Sequence, residues 1–193
     1  MRVVDSIGKS SQVETNDVTE IILAGGCFWC TEAVFLQLEG VINVKSGYIG
    51  GRTVNPTYKE ICSGETGHAE AVQIRYNQDK ISFEDLLHVF FSTHDPTTLN
   101  RQGNDIGTQY RSEIFCVDEQ QMSAAKEYIS KLMASQIFAK PIVTKVSLAS
   151  HFYVAEDYHQ NYYNQNKSQG YCEYVITPKI EKLSHLFSSM LKD

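Results

Sequence analysis

Residues 20–30 read Glu20-Ile21-Ile22-Leu23-Ala24-Gly25-Gly26-Cys27-Phe28-Trp29-Cys30. The apolar run from Glu20 to Ala24 has the length and composition of a short buried strand, and Gly25-Gly26 stops it. From Cys27 to Leu38 the pattern becomes helical, with Val34, Phe35 and Leu38 on one face and Gly40 closing the segment. A strand therefore hands over to a helix across two glycines, and a cysteine stands at the junction.

Outward from this junction the same grammar repeats. Val41 to Tyr48 reads as a second strand ended by Gly50-Gly51, and Arg52 to His68 as a long polar loop. Ala69 to Tyr76 alternates Ala71, Gln73 and Arg75 against Val72, Ile74 and Tyr76, the mark of a half-buried strand. Ser82, with Asp85 three residues on, caps a helix whose Phe83, Leu86, Leu87, Phe90 and Phe91 share one face. Asp95-Pro96 ends it, and a second polar loop, Thr97 to Gly107, leads to a strand near Arg111 to Val117. Asp118 caps the next helix, with Met122, Ala125, Ile129, Leu132 and Met133 as its apolar face. Ile142 to Leu148 reads as a further strand. Thr177-Pro178 opens a last helix with proline at its first position and a stripe of Ile180, Leu183, Phe187 and Met190. Strand, helix, strand, strand, helix, strand is the split-βαβ order. It predicts an α+β fold: a two-layer ferredoxin-like core with a mixed sheet and an irregular C-terminal tail.

A length of 193 residues supports one core, and no repeat or linker divides it. The reading is a polar arm over residues 1–17 and a single domain over residues 18–193. A net charge of −6 argues against nucleic acid, which calls for a basic stripe. Lysines and arginines are scattered, with no cluster for anionic lipid, and no apolar run approaches the ~20 residues that span a bilayer. Without an apolar leader the chain is expected in the cytoplasm, as a monomer. Five cysteines, Cys27, Cys30, Cys62, Cys116 and Cys172, are an odd set that suits a reducing compartment and transient, catalytic disulfides. Cys27-x-x-Cys30 lacks a second knuckle or a histidine pair at finger spacing, so no metal is expected. No phosphate loop or nucleotide fingerprint implies a bound cofactor.

Cys27 lies where a helix dipole turns its positive end, which stabilises a thiolate, the nucleophilic form of cysteine. Position alone is equally compatible with a buried packing cysteine.

The hexapeptide from Gly25 to Cys30 resembles the Gly-Cys-Phe-Trp signature of the A-type methionine sulfoxide reductases. Further blocks resemble that family in order: Gly47-Tyr48-Ile49-Gly50-Gly51, Asn55-Pro56-Thr57-Tyr58 and Gly64-Glu65-Thr66-Gly67-His68-Ala69-Glu70. His94-Asp95-Pro96, Gln102-Gly103-Asn104-Asp105, Gly107-Thr108-Gln109-Tyr110-Arg111-Ser112 and Ala155-Glu156-Asp157-Tyr158-His159-Gln160 continue the series, from about Glu20 to about Tyr174.

The resemblance implies an α+β core and reduction of methionine-S-sulfoxide, free or in proteins, as repair of oxidative damage. It implies Cys27 as nucleophile, Glu70 as the acid that protonates the sulfoxide oxygen, and Tyr58 and Tyr110 as hydroxyl donors to the same oxygen. Asp105 maps onto a family aspartate and is assigned positioning. Phe28 and Trp29 would wall the pocket for the S-methyl group. A sulfenic acid on Cys27 then condenses with a second thiol. Cys172 resembles the recycling cysteine of the family's C-terminal tail, in a stretch that reads as polar and mobile, and is favoured. Cys30 departs from the commoner glycine and can resolve directly or relay. Thioredoxin would reopen the disulfide. Cys62 and Cys116 read as bystanders, and His68, His94 and His159 as structural. The competing classes are a general thiol–disulfide oxidoreductase built on Cys27-x-x-Cys30 and a redox-regulated binding module without turnover.

Overall fold

The computed structural model describes residues 17–193. The arm expected over residues 1–17 lies outside them except for Asp17. The framework is β1 (Val18–Gly25), α1 (Phe28–Phe35), β2 (Val41–Ile49), α2 (Tyr58–Ser63), β3 (Ala69–Asn77), α3 (Phe83–Thr93), β4 (Arg101–Gln102), β5 (Asp105–Ile106), β6 (Ser112–Cys116) and α4 (Glu119–Ala134). It continues through β7 (Lys145–Leu148), β8 (Tyr153–Val154), α5 (Tyr162–Gln165), a π-helical turn over Cys172–Ile176 and α6 (Thr177–Leu186).

The main sheet has the order β7-β6-β1-β3-β2-β8. Its middle, β6-β1-β3-β2, is antiparallel throughout and interleaves the two βαβ units, as the split-βαβ reading requires. Parallel pairing of β6 with β7 makes the sheet mixed. Alternation along the strands sends side chains to two faces. Ile21, Leu23, Val72, Ile74 and Ile114 join α1, α3 and α4 in the main core. Ile22, Ala24, Ile49, Ala71 and Phe115 meet Ala149 and Phe152 on the other face.

Capping explains where the helices start. Ser82 with Asp85 forms a capping box for α3, and the Asp118 side chain accepts from Gln121 N–H at α4. One element departs from the reading: the stretch Arg52 to His68, expected as a loop, contains α2. The signal was present, since Thr57 and Glu60 form a capping box and Gly64 closes the helix in the left-handed region at φ 77°.

The C-terminal region is less irregular than expected. It is a chain of short helical turns packed on the face of α1 that the sheet leaves uncovered, and α1 is therefore buried nearly all round. Lys179 Nζ donates to Thr93 O at 2.9 Å, tying α6 to the end of α3. Among the described residues, no helix is long and apolar enough to cross a membrane.

Candidate active site

β1 ends at Gly25 and Gly26, the latter at φ 98°, where an L side chain is strained. Cys27 follows as the cap of α1 with φ −57° and ψ 124°, its side chain making no capping bond. Its carbonyl accepts the first helical bonds, from Cys30 N at 3.1 Å and Thr31 N at 3.4 Å. The carbonyl of Cys27 is thus engaged by the helix, while its side chain packs in a buried cluster with Cys30 and Cys172.

Glu70 comes to this point from β3, which pairs with β2 in the register Tyr48↔Glu70. The carboxyl is 2% exposed, and its Oε2 accepts the free helix-start N–H of Phe28 at 3.1 Å. Burial pushes Glu70 up to about 8, against the downward pull of the Phe28 N–H, with the charges of Asp105 and Cys30 adding to the rise. At neutral pH it keeps a transferable proton.

Tyr58 and Tyr110 lie within electrostatic reach of the same carboxyl. Burial raises both phenols above their ordinary value, with a hydrogen bond to Cys62 adding at Tyr58 and the charge of Glu70 adding at both, so both stay protonated hydroxyls. Tyr58 is the first residue of α2, and its N–H donates to Glu156 Oε2 at 3.1 Å, while Tyr48 Oη donates to Glu156 Oε1 at 3.0 Å. Glu156 therefore bolts α2 to the sheet. Tyr110 closes a short 3-10 turn over Thr108–Tyr110 before β6.

Two aromatics follow the cysteine, and the structure separates their roles. Phe28 is 1% exposed and belongs to the main core, near Tyr48 and His159. Trp29 is only partly buried. Its Nε1 donates to His159 Nδ1 at 3.0 Å, and Tyr162 stacks on its ring with centroids 3.7 Å apart. His159 Nδ1 is thus the acceptor, and the proton sits on Nε2.

Three thiols gather against α1: Cys27, Cys30 and Cys172, with Tyr163 and Ile176 around them. Cys172 is fully buried in the π-helical turn, which differs from the polar, mobile tail expected there. Asp105 stands at the start of β5 and accepts Tyr171 Oη at 2.7 Å, and the same hydroxyl lies 3.7 Å from Cys30 Sγ. A cavity of about 200 Å³ opens between Cys27, Cys30, Gln102, Asp105, Tyr171 and Lys179.

Burial also holds the Cys27 thiol well above the ordinary cysteine value. This opposes the thiolate that the helix start favours. Desolvation disfavours the charged form, so this packed arrangement favours the thiol of Cys27.

Cys62 is exposed on α2 and Cys116 is buried in β6, both outside the thiol cluster. His68 accepts from Gly51 N–H at 3.0 Å and pairs with Thr53 O at 2.7 Å, which pins the loop before β3. Among the described residues, no three His, Cys, Asp or Glu side chains are grouped to hold a metal ion.

Tyr171 and Glu156 are site neighbours that sequence reasoning assigned no role, and His159, expected as structural, joins them. Each acts through a contact with a residue distant in sequence, as Tyr58 N–H to Glu156 illustrates, and no local periodicity marks them. The one available signal was adjacency: Tyr171 precedes Cys172.

Comparison with known proteins places this geometry in context. The family model described as peptide methionine sulfoxide reductase matches residues 19–190. A Deinococcus radiodurans protein named peptide methionine sulfoxide reductase MsrA is 55% identical over 173 residues, covering 90% of this chain and 84% of its own. A Chromobacterium violaceum protein of the same name is 56% identical over 172 residues, covering 89% and 98%. Among solved structures, reduced Mxr1 from Saccharomyces cerevisiae superposes with a TM-score of 0.75 at 32% identity, over 86% of this chain and 95% of that one. Mxr1 has also been solved in complex with Trx2, where the likeness is one of fold alone, with TM-score 0.54 at 24% identity over 81% and 92% of the two chains.

Proposed function

Since this chain belongs to the peptide methionine sulfoxide reductase family, we propose that it reduces methionine-S-sulfoxide, free and in oxidised proteins, with Cys27 as nucleophile and thioredoxin as reductant. The observation that carries the mechanism is the buried Glu70 carboxyl on the Phe28 N–H, one residue from Cys27 and within electrostatic reach of two tyrosines.

A sulfoxide has an electron-poor sulfur and an electron-rich oxygen, so attack on sulfur needs the oxygen protonated or hydrogen-bonded. Glu70 gives its proton to that oxygen while the Tyr58 and Tyr110 hydroxyls donate to it. Cys27 Sγ bonds to the substrate sulfur, and the thiol proton replaces the one Glu70 gave. The oxygen then passes to Cys27, the bond between the two sulfurs breaks, and methionine leaves. Cys27 is left as a sulfenic acid. Trp29 supplies the apolar wall for the S-methyl group, and Phe28 supports it from the core.

Recycling uses the gathered thiols. Cys27 sits at the cap with ψ 124°, outside regular helix, so a bond to Cys30 does not require the helix to unwind. Cys27, Cys30 and Cys172 share one buried cluster, and desolvation raises the thiols of Cys27 and Cys172, with the charge of Cys30 adding to each. The short spacing of Cys27 and Cys30 supports a relay in which Cys30 closes first and Cys172 second. Cys30 displaces water from the sulfenic acid, and Cys172 then attacks Cys30 and releases Cys27. The solved complex of the related Mxr1 with Trx2 supports thioredoxin as the final donor.

Turnover of methionine sulfoxide with dithiothreitol tests the reading. Insulin reduction without sulfoxide turnover would instead identify a general disulfide oxidoreductase.

A further inference from the structure

Glu32 is a buried carboxyl that the mechanism does not use. It lies on α1, is 1% exposed, and burial pushes it up to about 7. Its two oxygens are both engaged by the C-terminal region. Oε1 accepts the Asn161 N–H at 2.8 Å and Oε2 the Tyr162 N–H at 3.4 Å.

These two N–H groups begin α5. Asn161 stands in the left-handed region at φ 53° and makes no side-chain cap of its own. Glu32 therefore does from another helix what a capping residue normally does locally. An apolar residue in its place would leave two buried donors without acceptors. Next to this bond Tyr162 stacks on Trp29, and upstream Gln160 pairs with the backbone of Ser46 through Oε1 at 3.0 Å and Nε2 at 2.9 Å. Downstream, the Tyr162 hydroxyl bonds to Gln169, and the chain goes on to Tyr171 and Cys172 over the thiol pair.

We propose that Glu32 is the positioning residue that docks this segment on the catalytic helix and so sets how fast the Cys172 arm reaches the oxidised Cys27–Cys30 pair. It takes no part in sulfoxide reduction. The proposal rests on the functional reading above. In the step it governs, the Cys172 thiolate attacks Cys30 Sγ, the Cys30–Cys172 bond forms as the Cys27–Cys30 bond breaks, and Cys27 departs as a thiolate. No net oxidation occurs.

Glu32→Gln tests this. The amide still offers one acceptor, but its NH₂ then confronts one of the two N–H donors. Single-turnover release of methionine without reductant should stay near wild type, and the KM for sulfoxide should not change. Thioredoxin-dependent kcat should fall about three- to tenfold, the factor associated with one net hydrogen bond, and peptides joined through Cys27–Cys30 should accumulate over those joined through Cys172. Normal recycling in a folded Glu32→Gln protein overturns the proposal, as does a matching loss in single turnover. Amide exchange on the wild type covers the case of a variant that does not fold. Asn161 and Tyr162 should be protected, and exchange at open-loop rates overturns the docking role. A wild type that releases no methionine in single turnover defeats the functional reading instead.

Discussion

The N–H of Phe28 and the carboxyl of Glu70 meet at 3.1 Å, so the first free donor of the catalytic helix is taken by an acid from β3 rather than by water. One contact thereby holds the proposed proton donor beside the proposed nucleophile. It draws the acid down in pKa, but burial draws it up further, to about 8. Glu70→Gln keeps a hydrogen-bonding group and loses the proton, so the rate of sulfoxide reduction should fall on the order of 10²–10⁴-fold. In the wild type, activity should decline as pH rises through about 8. A stopped-flow pH series on both proteins checks this, and an unchanged rate in the variant removes the general-acid role.

The same shift has a consequence for stability. Glu70 ordinarily titrates at 4.5 and in the folded chain at about 8, so the folded state binds more protons between these values. Stability from this group is full below 4.5 and is lost as pH rises through about 8. Urea midpoints of wild type minus Glu70→Gln should therefore shift against the wild type with rising pH across that window. A pH-independent difference would show that the acid is not buried.

Cys27→Ser should abolish single-turnover reduction while leaving the urea midpoint near wild type, because serine is close to cysteine in size and the buried side chain makes no capping bond. Residual methionine release would take Cys27 out of the mechanism.

Fixed donors on one side and the Trp29 wall on another should accept one sulfoxide epimer. Methionine sulfoxide repair is divided between two enzymes, one for each sulfoxide epimer. Chromatography of the two pure epimers after incubation should show only the S form consumed, and equal loss of both contradicts the assigned pocket.

Mass spectrometry separates the thiols. Cys172→Ser should stop after one turnover with a Cys27–Cys30 disulfide, and Cys30→Ser should slow disulfide formation and lengthen the life of the sulfenic acid. Fast closure of Cys27 onto Cys172 in Cys30→Ser would favour the direct route over the relay.

Much of the site was legible because its parts are local. The glycine stop and the cysteine at the head of a helix lie within the segment from Gly25 to Cys30, and Ser82 with Asp85 marks α3 as clearly in sequence as in space. The helix α2 was equally local, through Thr57, Glu60 and Gly64, but a run rich in Asn, Pro and Gly masked it. The covering of Trp29 by Tyr162 was not legible, since stacking between residues on separate elements leaves no periodic trace.

The sequence by itself determined which segments become strands and helices, and that a cysteine would stand at the first junction, because strand alternation, caps and glycine stops act over a few residues. Only the tertiary structure decided the protonation of the site. Cys27 and Glu70 owe their raised pKa values to desolvation by chain segments far away in sequence, and the gathering of Cys27, Cys30 and Cys172 depends on the tail folding back over α1. Burial is a property of everything packed around a group, and no stretch of residues carries it alone.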